Sequence, residues 1–155
     1  MPRRCQGFTL LEMMIVIVVI GVLVGMVSLA SGVNPTQQAR QEAGALAGVI
    51  RQLREQAVLE GREYGLRLSV EGYRSMRLEG QAWEPLAAFH RWPDNLRLNV
   101  EQDGYSLSLG ADAGPPQIQL YSSDEISSFR LTLAGKDRVW ASLSSDGVGE
   151  VMIDD

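Results

Sequence analysis

From Met13 to Ala30 the chain reads MMIVIVVIGVLVGMVSLA, eighteen residues in which Ser28 is the one polar side chain, and no charge falls between Glu12 and Arg40. A helix of that length rises about 27 Å, close to the ~30 Å of a bilayer's hydrocarbon. The run is expected to span a membrane once, with Phe8 to Leu11 extending it. After Gly32-Val33-Asn34-Pro35 the pattern changes. Ala39, Ala43, Leu46, Ile50, Leu53 and Ala57 recur in steps of four and three, an apolar stripe with Arg40, Gln41, Arg51, Arg54 and Glu55 off it. Asn34 suits an N-cap, Pro35 a first helical position and Gly61 a stop, so a helix is expected over 35–60. The pattern leaves open whether this helix continues the first or breaks at Gly32 to Pro35. Its stripe is expected to pack on the chain's own sheet.

Beyond Gly61 the period becomes two. Tyr64, Leu66, Leu68 and Val70 alternate, Glu71-Gly72 turns, and Arg74, Met76 and Leu78 continue. Leu96, Leu98 and Val100 lead through Asp103-Gly104 to Tyr105, Leu107 and Leu109; Phe129, Leu131 and Leu133 lead through 134–137 to Val139, Ala141 and Leu143. Ile118 to Tyr121 forms another strand, and Val151 with Ile153 the last. The expected fold class is α+β: a long N-terminal helix, its first half in the membrane, packed on one antiparallel sheet or a two-sheet domain.

The basic residues Arg3 and Arg4 precede the apolar run and the charges after it are mixed, so the short N-terminal tail is expected in the cytoplasm and the C-terminal domain outside it. A removable secretory signal cut near Ala30 is the lesser alternative, since this run exceeds the usual 7–15-residue apolar core and opens on Glu12. An ionised carboxylate at the edge of hydrocarbon needs a positive partner or hydration at headgroup level.

Composition narrows the chemistry. The 155 residues hold one His, one Cys and a formal charge of −5, from 14 basic and 19 acidic side chains. One Cys makes no disulfide, one His and one Cys make no Cys/His zinc cluster, and an acidic chain is a poor nucleic-acid binder. No Walker loop, dinucleotide fingerprint, H-E-x-x-H or G-x-S-x-G occurs, so no catalytic residues, no metal and no cofactor are assigned and the chain is not expected to be an enzyme. His90, alone in Phe89-His90-Arg91-Trp92-Pro93, reads as a surface or partly packed side chain. Trp83, Trp92 and Trp140 read as core more readily than as interface anchors. Most of the acids stand beside Gly, Asn or Ser, as turns require, and none forms an EF-hand.

Gly7-Phe8-Thr9-Leu10-Leu11-Glu12, after a short basic leader and before a long apolar run, resembles the class III signal of type IV pilins and type II secretion pseudopilins. The resemblance implies that a prepilin peptidase cuts between Gly7 and Phe8 and methylates the Phe8 amine, and that Glu12 becomes the acid at the fifth mature position. The new amine of one subunit then pairs with Glu12 of a neighbour, joining two charges that neither would bury alone. Removing Arg3 and Arg4 leaves 12 basic against 19 acidic side chains, a formal −7, and removes Cys5. Gly21 and Gly25 form a GxxxG that allows close helix contact, or is ordinary glycine use in a membrane helix.

The helix end Ile50 to Val58, Gly61, a glycine-turned hairpin, Trp83 and the late Ser145-Asp146-Gly147 resemble the H-type minor pseudopilins, the GspH family, and the related FimT/FimU-type minor pilins. That resemblance implies a pilin-like fold, with a leader at 1–7, a transmembrane and filament-core helix at 8–31 and a periplasmic pilin-like domain at 32–155 with its strands over 64–153. It implies an inner-membrane protein that enters a periplasmic pseudopilus near the tip and serves export of folded exoproteins. The implied partners are the I-, J- and K-type minor pseudopilins, the major G-type pseudopilin, the prepilin peptidase, the inner membrane and secreted exoproteins, with no nucleic acid. Some G-type pseudopilins bind calcium, which leaves a loop-built site open here. The alternatives are a minor pilin of a type IV pilus and a membrane-tethered periplasmic binding module using the aromatic loop from Trp83 to Trp92.

Overall fold

The structure, a computed structural model, describes residues 10–30, 34–136 and 138–154, and the side chains of these apart from 24–30. Two units result: the N-terminal helix α1 (Leu10–Ala30), and a domain from Pro35 onward with its own core. The domain opens on α2 (Pro35–Glu60). Gly61 stands at φ +60, and the Arg62 amide donates to the Ala57 carbonyl at 3.2 Å, the closure of a helix that ends in a left-handed residue. Ala39, Ala43, Leu46, Ile50, Leu53 and Ala57 are the buried residues of α2, so the stripe read from the sequence is its core face.

Two five-stranded antiparallel sheets follow. One contains β1 (Tyr64–Leu68), β2 (Gly72–Glu79), β3 (Ala82–Pro85), β4 (His90–Arg91) and β7 (Ile118–Leu120), in the order β3-β2-β1-β7 with β4 also on β2. The other contains β5 (Arg97–Gln102), β6 (Tyr105–Leu107), β8 (Phe129–Ala134), β9 (Val139–Ser145) and β10 (Met152–Asp154), in the order β10-β9-β8-β5-β6. α2 lies on β1 and β7 of the first sheet and on β8, β9 and β10 of the second. Leu66, Leu68, Ile118 and Leu120 from one sheet and Val100, Leu131, Leu133 and Leu143 from the other close a single core beneath it. A buried aliphatic side chain contributes roughly 1.5–3 kcal/mol, so the core face of α2 is the principal tie between the sheets.

Several local expectations are corrected. Val70 does not extend β1; it is 65% exposed in the turn, and Gly72 opens β2 instead of closing the turn. Gly72 is needed there because a Cβ would run into the His90 carbonyl of β4. β3 and β4 were not expected, and the second sheet begins at Arg97, with Leu96 buried just before it. Asp103 (φ 51) and Gly104 (φ 80) make the two-residue turn of the β5–β6 hairpin.

Candidate functional site

α1 has no polar face beyond its first turn. Leu10, Met14, Ile17, Val18 and Leu23 are 81%, 61%, 69%, 64% and 57% exposed within this chain. A helix apolar all round is stable in water only when something outside it covers it, which makes α1 an assembly or membrane element. Among the described residues no helix is long and apolar enough to cross a membrane; the described side chains of α1 end at Leu23. Glu12 lies in the first turn, where the helix dipole favours a carboxylate. A Cβ at Gly21 would meet nothing within 4 Å, leaving an open notch. Gly7 and Phe8 lie outside the described residues, and Gly25 lies in α1 outside the described side chains.

In the domain, Arg54 is a hub that its off-stripe position concealed. Its Nε donates to Asp124 Oδ1 at 2.7 Å, Nη1 to the Gly149 carbonyl at 2.8 Å, and Nη2 to the Asp124 and Val148 carbonyls at 2.6 and 2.9 Å. One side chain thereby fastens the loops at 121–125 and 146–150 to α2. Asp146 organises the second loop by accepting from the Val148 and Gly149 amides, and those hydrogen bonds hold its carboxyl below the ordinary range. An open groove of about 600 Å³ lies beside the hub, between Gly44, Ala47 and Gly48 of α2 and Val151 and Ile153.

A second ion cluster ties the 108–117 segment to the first sheet. Asp112 accepts from Arg67 Nε at 2.7 Å through one oxygen and from Arg74 Nε at 2.8 Å through the other. Burial alone would raise the Asp112 pKa, but the two guanidinium hydrogen bonds and charges outweigh it and the pKa falls below the ordinary 3.8. A depressed folded pKa gives stability that is fully present above the ordinary value and is lost as pH falls from 3.8 through the lower folded value. Asp112→Asn should cost about 2 kcal/mol at neutral pH, the scale of hydrogen bonds to charged groups. It should also flatten the acid limb of a stability-against-pH curve below about pH 4. An unchanged acid limb in denaturant titrations would remove Asp112 from that account.

Of the aromatic loop from Trp83 to Trp92, only the Trp92 ring is buried, and most of the stretch is exposed. Trp92 is buried, donates from Nε1 to the Ser69 carbonyl at 3.2 Å, and packs with Tyr73 at 5.0 Å between ring centroids. His90 packs on Tyr73 at 4.7 Å, and its Nε2 is 3.0 Å from Glu42 Oε2 on α2. Trp83 and Trp140 are half-buried. Among the described residues no group of three His, Cys, Asp or Glu could hold a metal. Arg54, Arg67 and Arg74 with their acidic partners serve as fasteners within the domain.

A family described as prokaryotic N-terminal methylation motif matches residues 2–28, and one described as type II transport protein GspH matches residues 37–147. The type II secretion system protein H of Pseudomonas aeruginosa is 42% identical, over 94% of this chain and 93% of that protein. The protein of the same name from Aeromonas hydrophila is 27% identical, over 87% and 84%. In fold, the chain is similar to the crystal structure of the minor pseudopilin EpsH of Vibrio cholerae, with a TM-score of 0.67, 17% identity, and coverage of 77% of this chain and 97% of that one. The solution structure of Escherichia coli GspH gives a TM-score of 0.65 at 18% identity, covering 80% and 92%.

Proposed function

The chain belongs to the type II transport protein GspH family, and on that premise we propose that it works as a minor pseudopilin. It is a structural subunit of the type II secretion system, placed at or near the tip of a periplasmic pseudopilus. The observation that carries this reading is an N-terminal methylation motif over 2–28 joined to a GspH match over 37–147.

In this reading the apolar run 13–30 anchors the subunit in the inner membrane with the domain in the periplasm. The prepilin peptidase cuts between Gly7 and Phe8, and Phe8 is methylated. When the subunit leaves the bilayer for the filament, α1 exchanges lipid for the helices of neighbouring subunits, and the apolar surface stays covered throughout. The Phe8 ammonium pairs with the Glu12 carboxylate of the adjacent subunit, which sets the axial register because a mismatch strands both charges. Gly21 and Gly25 permit close approach of that helix. Its partners are the I-, J- and K-type minor pseudopilins and the major G-type subunit, with secreted exoproteins meeting the exposed domain. The role is structural, and the driving energy comes from elsewhere.

Intact mass and N-terminal peptide mapping of the membrane-fraction protein, with and without co-expressed prepilin peptidase, test the processing. The expected product begins at Phe8, carries one extra methyl and appears only with the peptidase. An uncut chain, or one cut near Ala30 regardless of the peptidase, would contradict it.

A further inference from the structure

β10 is the last strand of the second sheet, with β9 on one side and, among the described residues, no strand on the other. A sheet edge of this kind presents unpaired backbone N–H and C=O groups. Val148, Met152 and Ile153, at this edge or just before it, are 73%, 61% and 45% exposed. The groove of about 600 Å³ beside the Arg54 hub runs along it, and Gly44, Ala47 and Gly48 of α2 form the far wall. A Cβ at Gly44 or Gly48 would meet nothing within 4 Å, so this flank of the helix is open. α2 lies chiefly over β9, with β8 and β10 to its two sides. Ile153 pairs in register with the buried Leu143 of β9, so the two share one face of the sheet, the face that α2 covers.

We propose that the β10 edge binds an extended segment of a partner subunit, which adds a strand there and sets its inward apolar side chains in the groove. The inference rests on the pseudopilin reading. Neighbouring strands lie about 4.8 Å apart, so an added strand stands roughly 10 Å from β9. There it passes beside the flank of α2, because a helix with its side chains reaches only about 5–6 Å from its axis. The small residues on that flank leave the added side chains their room. Backbone pairing supplies the affinity, and the groove selects the side chains at alternate positions. Charge fixes the rest of the segment's chemistry. Glu55 and Glu150 line the groove and Asp154 ends β10, against Arg51, while Arg54 is occupied by Asp124 and the loop carbonyls. The segment therefore carries valine- or isoleucine-type residues at alternate positions with Lys or Arg beside them. A second copy of this chain fits poorly. Antiparallel pairing about Met152 would set Glu150 of each copy opposite Asp154 of the other, and like charges directly opposite are destabilising.

The test titrates the isotope-labelled full chain, in neutral micelles, with the end-capped peptide Lys-Val-Thr-Val-Thr-Val-Lys. Amide shifts should centre on Met152, Ile153 and Asp154 and on the 44–48 turn of α2, and hydrogen exchange at β10 should slow. Gly48→Leu fills the groove and should weaken binding about tenfold. It also replaces a helix-interior glycine by a better helix former, so the domain stays folded. Glu150→Lys should weaken the same peptide about threefold and strengthen its Glu-ended counterpart, the scale of an exposed ion pair. Absence of binding, binding that Gly48→Leu leaves unchanged, or equal binding of the Glu-ended peptide by the wild-type chain each overturns the proposal. Dimerisation of the chain through β10 without peptide also overturns it and gives the edge to a second copy. These results sink this inference alone, since the pseudopilin reading is decided by N-terminal processing and by secretion.

Discussion

Ile50→Ala lowers the unfolding free energy by about 3 kcal/mol, within the 2–5 kcal/mol usual for an aliphatic truncation in a packed core. Ile50 is fully buried in the middle of α2, the helix that lies on strands of both sheets, so the void opens where the two sheets share one cover. The exposed Gln41 on the same helix is the control, and Gln41→Ala should stay within about 0.5 kcal/mol. Denaturant unfolding of the full chain in micelles, followed by circular dichroism, reads both. A loss below about 1 kcal/mol for Ile50→Ala would mean that α2 is not the element holding the sheets together.

Glu12→Ala leaves cleavage at Gly7 intact and stops assembly. Deleting one member of a desolvated ion pair costs about 3–5 kcal/mol because the other charge is left buried and alone. At the lower end that is roughly a hundredfold in the docking equilibrium of each subunit. Exoprotein in the medium should fall to the level of a deletion strain, while the cell-associated protein carries the same processed N-terminus as the wild type. Normal secretion by the Glu12→Ala strain would leave the register-setting role of this carboxylate without support.

The parts of the fold legible in the sequence are those with a local physical signature. α2 announces itself through a stripe at helical spacing between a cap and a glycine stop, and all six stripe residues are its core face. β8 does so through Phe129, Leu131 and Leu133, each buried on alternate positions. β3 and β4 lack such a signature because none of their residues is buried, so no period-two pattern separates them from a loop. The fasteners were hidden for another reason. Arg54 and Asp124 meet across 70 residues of sequence, and Arg67 and Asp112 across 45, so each looks like an ordinary surface charge until the chain is folded. Among the described acids, Asp112, Asp124 and Asp146 do more than make turns. The proposed processing site has the opposite balance: Gly7, Phe8 and Glu12 are assigned from a short motif followed by an apolar run, and the domain's geometry contributes nothing to that assignment.

The central claim, a minor pseudopilin serving secretion, is tested most directly by deleting the gene and measuring, in the same strain, exoprotein in the culture medium and twitching motility. Exoproteins should accumulate in the periplasm, twitching should be unchanged, and the wild-type chain supplied in trans should restore export. Lost twitching with normal secretion would contradict it and assign the subunit to a type IV pilus.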